Sequence, residues 1–166
     1  SPFFIYLCHN MTHNPLAASP AFKGKSQNGL YGDATEELDW SMGVLLETLK
    51  EEGLDQNTLI IFTSDNGADE HFGGTNRPLR GQKGTTYEGG FRVPCIMRWP
   101  AKIPAGQETD NLVTSMDFLP TLAHYCGYAV PSDRVIDGHN VSGILEGESM
   151  ASPTETFYYY QKQQLQ

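Results

Sequence analysis

Runs of apolar, β-branched and aromatic residues mark out the strands and helices of this chain. Phe3-Phe4-Ile5-Tyr6-Leu7-Cys8 opens it as a buried-strand pattern, and Leu59-Ile60-Ile61-Phe62-Thr63 reads as a second, fully buried strand. Between them, Leu38, Met42, Leu45 and Leu49 keep helical spacing. Asp33, with Glu36 three positions on, predicts a capping box at the start of that helix, and Gly53 a left-handed stop at its end. The charged face of the helix is expected to be solvated. Strand, helix and strand in this order predict a crossover of the kind found in parallel sheets, with the helix packed on the sheet. Val93 to Trp99 predicts a third strand, with Pro94 at its start. A helix from about Ser115 or Asp117 to Tyr125 places Phe118, Leu122 and Tyr125 on one side, with Pro120 in its first turn and Gly127 stopping it. Thr156 to Tyr160 reads as a last strand. Residues 16–32 are a polar, glycine-containing connection, and residues 128–153 are irregular and polar, a linker towards that last strand.

Composition adjusts this picture in a few places. The 166 residues predict one domain, and a net charge of -9 argues against nucleic acid as a partner, because phosphate binding rests on lysine and arginine. It leaves room for a small anionic substrate, which local cations decide. No apolar run approaches the roughly 18 residues of a membrane span. Cys8, Cys95 and Cys126 have no metal-ligand spacing, and as an odd number leave at least one unpaired within the chain; two lie in apolar patterns that predict buried, inert thiols. Asn10-Met11-Thr12 and Asn140-Val141-Ser142 have the form of glycosylation sequons. The chain enters a strand pattern directly at Phe3 and stops soon after another, so an internal fragment of a larger domain is expected.

The candidate chemistry gathers between Ser64 and Gly90. Ser64-Asp65-Asn66-Gly67 follows the second strand, and the carboxyl end of a strand in an open α/β sheet is where ligands bind. A carboxylate and an amide oxygen there are hard ligands that suit calcium or magnesium, although Asp-Asn-Gly also serves simply as a turn. Glycines 73, 74, 81, 84, 89 and 90 then lie close together with Arg77, Arg80 and Lys83 among them. Glycine admits close backbone approach to a ligand, and a cation held there suits sulfate or phosphate. Gly81-Gln82-Lys83-Gly84 lacks the order of a Walker A loop. Upstream, His9 and His13 are four apart, but Pro15 and the preceding strand argue against the helix that would pair them on one face.

FTSDNG, PLRGQKGTTYEGG, FRVPCIMRWPAKIPAG and VTSMDFLPTLAHYCG together resemble the type I sulfatases, the arylsulfatase branch of the alkaline phosphatase superfamily. PFFIYLCHNMTHNPL and LYGDATEELDWSMG extend the resemblance over nearly the whole chain. It implies an alkaline phosphatase-like α/β sandwich, a mainly parallel central sheet flanked by helices, incomplete in this chain. The missing parts would be the N-terminal half of the catalytic domain and the C-terminal subdomain. The implied function is hydrolysis of a sulfate ester, an aryl sulfate or a sulfated carbohydrate, by calcium (Ca2+) and a formylglycine nucleophile. Residue by residue, the resemblance implies Asp65 and Asn66 as metal ligands and Lys83 as the partner of sulfate oxygens. It implies His13, in a threonine-histidine-x-proline motif, as the group that protonates the leaving alcohol, a role suited to imidazole. Residues 68–72 are expected near the leaving group. No cysteine or serine here stands in the cysteine/serine-x-proline-x-arginine motif, so the nucleophile is expected outside this chain, along with the other calcium aspartates. Phosphatases, phosphodiesterases and phosphonate hydrolases of the same superfamily, or a non-catalytic relative binding calcium or sulfated glycans, are the alternatives. The resemblance implies an exported or lysosomal protein, and the sequence leaves oligomeric state open.

Overall fold

The computed structural model describes residues 1–148, 151–161 and 164–165, which form two compact units. The first comprises residues 1–54 and 64–93, and the second residues 55–63 and 94–166.

The first unit is built around helix α1, Gly29–Glu51. Leu38, Met42, Leu45 and Leu49 are all half-buried along it, as their spacing predicts, while Glu47 and Lys50 lie on the solvated side and pair at 3.4 Å. The helix ends as expected. Gly53 has φ of +68°, and the N–H groups of Gly53 and Leu54 return to the carbonyls of Lys50 and Leu49, the two bonds of a Schellman stop. Its start differs from the sequence reading. The helix begins four positions before Asp33, with Asn28 as N-cap and no side-chain capping bond. Asp33 is buried inside the first turns, where its carboxylate accepts the N–H groups of Gly24, Lys25 and Ser26 at 2.7, 3.0 and 2.8 Å. Asp33 therefore ties down the preceding loop instead of capping its own helix. The same loop packs on α1 through Phe22 and Trp40, whose ring centres are 5.7 Å apart.

Residues 3–8 make no strand pairing among the described residues, and Phe4 and Tyr6 are 82% and 83% exposed. The strand predicted at 3–8 is thus not observed. In the second unit, β1 (Ile60–Thr63) pairs instead with β2 (Cys95–Arg98), antiparallel, with Ile61 opposite Met97 and Phe62 opposite Ile96. Antiparallel neighbours need only a returning connection, and residues 64–94 supply it. β1 is half-buried and ends on an exposed Thr63, not fully buried as its apolar run predicts, because a pair of strands has fewer covering faces than a central strand. Pro94 does stand just before β2.

A 3-10 turn at Ser115–Asp117 leads into α3, Phe118–Tyr125, so the second predicted helix is observed within its predicted bounds. Thr114 and Asp117 form a reciprocal capping box, Pro120 is buried in the first turn, and Gly127 stops the helix at φ of +73°. Residues 128–153 hold a short helix of their own, α4, at Ser142–Leu145, and only 149 and 150 among them lie outside the described residues. Val141 is 2% and Ile144 7% exposed, and the Thr121 hydroxyl of α3 accepts the Val141 N–H at 3.0 Å. Ile61, Met97, Phe118, Leu122, Val141 and Leu145 converge on one apolar gap of about 10 Å³, the core of this unit. Of the predicted last strand, only Tyr160 is in a strand: β3, Tyr160–Gln161, pairs with β4, Gln164–Leu165. All three cysteines are exposed and free, which corrects the expectation of buried thiols; Cys95 lies in an exposed stretch of β2, and Cys126 follows the last turn of α3.

Candidate functional site

The stretch from Ser64 to Gly90 folds back on itself through its backbone. Gly67 donates its N–H to the Gly90 carbonyl at 3.0 Å, Lys83 donates to Ala68 at 3.1 Å, and Gly89 donates to Arg80 at 2.8 Å. Glycine is required at these crossings. A Cβ on Gly67 would collide with the Gly89 carbonyl oxygen, and one on Gly89 with the Gly81 carbonyl oxygen. A short helix, α2 at Glu88–Phe91, buries Gly89 and Gly90 under the loop. Against α1 the loop seats on Tyr31, whose hydroxyl and ring lie within 3.1–3.2 Å of a Cβ placed on Gly74.

These bonds bring three of the four sequence-predicted residues into one structure. Asp65 and Asn66 stand immediately before Gly67, and Lys83 is bonded to Ala68, two residues after Asn66. The Asp65 carboxylate is exposed and accepts no hydrogen bond among the described residues, Asn66 is half-buried, and Ser64 donates its hydroxyl to the Asn66 carbonyl at 3.0 Å. The neighbouring Cys8 side chain, foremost, pushes the Tyr6 phenol above its ordinary range, and the Asp65 charge adds a smaller push in the same direction. Asp65 and Asn66 offer hard oxygen donors on one turn, the chemistry calcium takes, but two donors fall short of the six to eight that it needs. Among the described residues, no three His, Cys, Asp or Glu side chains group as a metal site.

No contact among the described residues brings His13 to the others. It is exposed, its N–H bonds to the Asn10 carbonyl, and its Nδ1 lies 2.9 Å from the Asn14 carbonyl. A carbonyl only accepts, so the ring proton is assigned to Nδ1 and Nε2 is the nitrogen left to exchange a proton.

The sequence reading missed the groups that shape the rest of the loop. Asn76 clamps Ala68 with both ends of its amide, at 2.8 and 2.9 Å. Asp69 accepts the His71 ring Nδ1 at 2.9 Å and the His71 N–H at 3.1 Å. Those two bonds, the ring bond foremost, hold the Asp69 carboxyl below the ordinary range, with the charges of His71 and Lys83 adding to them. The Arg80 guanidinium lies 3.8 Å over the Tyr87 ring, so this cation is committed to stacking. Glu70, His71, Arg80, Gln82 and Tyr87 line an open concavity of about 490 Å³, which puts two of the residues at 68–72 on a surface groove. In sequence, only the glycine clustering signalled that the loop folds on itself; an Asn followed by Arg-Pro signals a turn, not a clamp.

The family model described as Sulfatase matches residues 1–128. The chain is 45% identical over 168 residues to the steryl-sulfatase of Homo sapiens, a match covering 96% of this chain and 29% of that protein. It is 44% identical over 163 residues to the N-acetylgalactosamine-6-sulfatase of Canis lupus familiaris, covering 95% of this chain and 31% of the relative. The crystal structure of the PsFucS1 sulfatase from Pseudoalteromonas sp. superposes with a TM-score of 0.85 at 36% identity, over 93% of this chain and 32% of that one. The chain thus spans about a third or less of the proteins it matches. No helix among the described residues is long and apolar enough to cross a membrane. A glycine loop closed on an Asp-Asn turn and a lysine, with these likenesses over nearly all of its length, makes the chain a member of the type I sulfatase family with part of that family's alkaline phosphatase-like α/β fold.

Proposed function

We propose that the protein carrying this chain is a sulfuric ester hydrolase, and that the Ser64–Gly90 loop is one side of its active site. The observation that carries the reading is the pair of backbone bonds, Gly67 to Gly90 and Lys83 to Ala68, that join the Asp65–Asn66 turn and Lys83. Asp65 and Asn66 would hold calcium, with further ligands from residues beyond these 166. Bound there, the ion would supply Lewis-acid stabilisation of the sulfate oxygens. The formylglycine nucleophile implied by family membership likewise belongs outside this chain.

The chain's own residues have separate tasks. Lys83 brings a positive charge on a loop held by main-chain bonds, and it stabilises negative charge on the sulfuryl oxygens. His13, with its Nδ1 proton directed at the Asn14 carbonyl, would act as the imidazolium, giving the second proton, on Nε2, to the leaving alcohol oxygen and remaining as the Nδ1–H neutral ring. Glu70 and His71, on the open groove, contact the leaving group. Relatives of nearly equal identity are named for a sterol and for an amino sugar, so the leaving group belongs to the wider class of aryl, sterol or sugar alcohols.

The test uses the full-length protein and a chromogenic aryl sulfate alongside a sulfated monosaccharide. Lys83→Ala should lower kcat about 100-fold, the usual scale for losing one electrostatic stabiliser. Asp65→Ala should move the calcium dependence to much higher concentration. Wild-type kcat in the first variant together with coincident calcium titrations in the second would sink the reading.

A further inference from the structure

We infer that Asn76 is a positioning residue for this site: it sets the Asp65–Asn66 turn against Lys83 without touching substrate or metal. The inference rests on the sulfatase reading of that turn. Asn76 Oδ1 accepts the Ala68 N–H at 2.8 Å, and Asn76 Nδ2 donates to the Ala68 carbonyl at 2.9 Å. One planar amide thus satisfies both polar groups of a single residue, as a paired strand would. The same Ala68 carbonyl accepts the Lys83 N–H at 3.1 Å. Ala68 is therefore a junction with three arms: the metal-donor turn that runs into it, the Lys83 loop bonded to its carbonyl, and Asn76 bonded to both its groups.

Oδ1 also lies 3.1 Å from where a Cβ on Gly67 would stand, so the amide packs against the turn itself. Asn76 is half-buried and supplies a main-chain anchor of its own, since its carbonyl accepts the Leu79 N–H at 2.9 Å. Few side chains can replace it. An ionised Asp keeps the acceptor for the Ala68 N–H but turns a second acceptor on the Ala68 carbonyl; Ala or Leu supplies neither bond. The Ala68 N–H would then be unsatisfied, and the Ala68 carbonyl would depend on Lys83 alone. Outer groups that orient ligand-bearing elements change metal affinity or activity by about 10- to 100-fold when removed.

The experiment measures the calcium midpoint by direct binding of the ion to the protein, and kcat and KM by turnover, in the full-length Asn76→Ala variant. A raised calcium midpoint, by about tenfold or more, is expected, with kcat at saturating calcium reduced and KM nearly unchanged. A residue that only stabilised the fold would lower the amount of active enzyme and leave the calcium midpoint where it is. Asn76→Asp, which keeps the shape and the bond from the Ala68 N–H, supplies a folded variant if Asn76→Ala yields none. A calcium midpoint equal to or below the wild-type value in a folded Asn76 variant overturns the inference. Lys83→Ala and Asp65→Ala are run in parallel. If those two lose activity while the Asn76 variant behaves as wild type, the positioning role alone fails; if those two are unaffected, the sulfatase site itself was misread.

Discussion

The Ser64–Gly90 loop and the α3–α4 end of the second unit are held together by opposite means. At the α3–α4 end, side chains do the holding. Val141 and Ile144 are almost fully buried, Trp99 meets Tyr125 edge-on at 5.0 Å, and Lys102 lies about 5 Å from both rings. Each lost methyl group there costs packing and transfer energy. In the loop the missing side chains do it. Gly67 and Gly89 let one backbone pass against another, and the main-chain bonds that follow, with the Asn76 clamp, replace an apolar core. The difference shows why a site can be demanding without being buried. Asp65 stays exposed and accepts no hydrogen bond among the described residues, on a turn whose position is dictated by its neighbours. Asp33 is the counterexample within the same unit: it is buried, and its carboxylate is taken up by three loop N–H groups.

The sharpest way to break this contrast is Gly67→Ala in the full-length protein. Its new methyl group meets the Gly89 carbonyl oxygen, so the turn bearing Asp65 and Asn66 or the Gly89 backbone must shift. Sulfate-ester turnover should fall about 100-fold, the scale for a displacement of roughly 1 Å at a reacting group. An active Gly67→Ala enzyme would show that the crossing tolerates a side chain and that the loop is not set by glycine contact.

Ile144→Ala should do the reverse. Truncating a side chain 7% exposed beside α3 is expected to cost about 2–4 kcal/mol of stability while kcat per folded molecule stays at the wild-type value. Chemical denaturation with an activity assay on the folded fraction separates the two. Loss of kcat at full stability would mean that the second unit contributes to catalysis directly.

Asp33→Asn has the smallest expected effect and a distinctive pH dependence. The Gly24 N–H foremost, then those of Ser26 and Lys25, hold the Asp33 carboxyl below the ordinary aspartate range against the opposing effect of burial. The folded state therefore favours the ionised form. Its contribution is fully present above the ordinary aspartate pKa of about 4, and is lost as pH falls through the lower folded-state value. Melting temperatures of wild type and variant should differ most near neutrality and converge in acid. A gap that stays constant with pH would remove the ionised carboxylate from the account of the 24–33 loop.

The sequence by itself determined the local events. Gly53 and Gly127 stop their helices at positive φ, Pro120 sits in the first turn of α3, and Leu38, Met42, Leu45 and Leu49 share a half-buried face. Each follows from interactions within about one helical turn, so each is written in neighbouring residues. The family signature was legible for a similar reason, as short contiguous motifs, and the proposed residues Asp65, Asn66 and Lys83 lie within them. Tertiary structure alone decided which distant group each polar side chain answers. Asp33 has the spacing of a capping box, yet it binds loop N–H groups seven to nine residues before it. Asn76 reads as a turn residue, yet it clamps Ala68, eight residues away. The apolar run at β1 suits either a parallel or an antiparallel neighbour, and the return at 95–98 made it antiparallel. Hydrogen-bond donors and strand edges are chemically alike all along the backbone, so residue type cannot choose among them. Only the path of the chain brings one within reach.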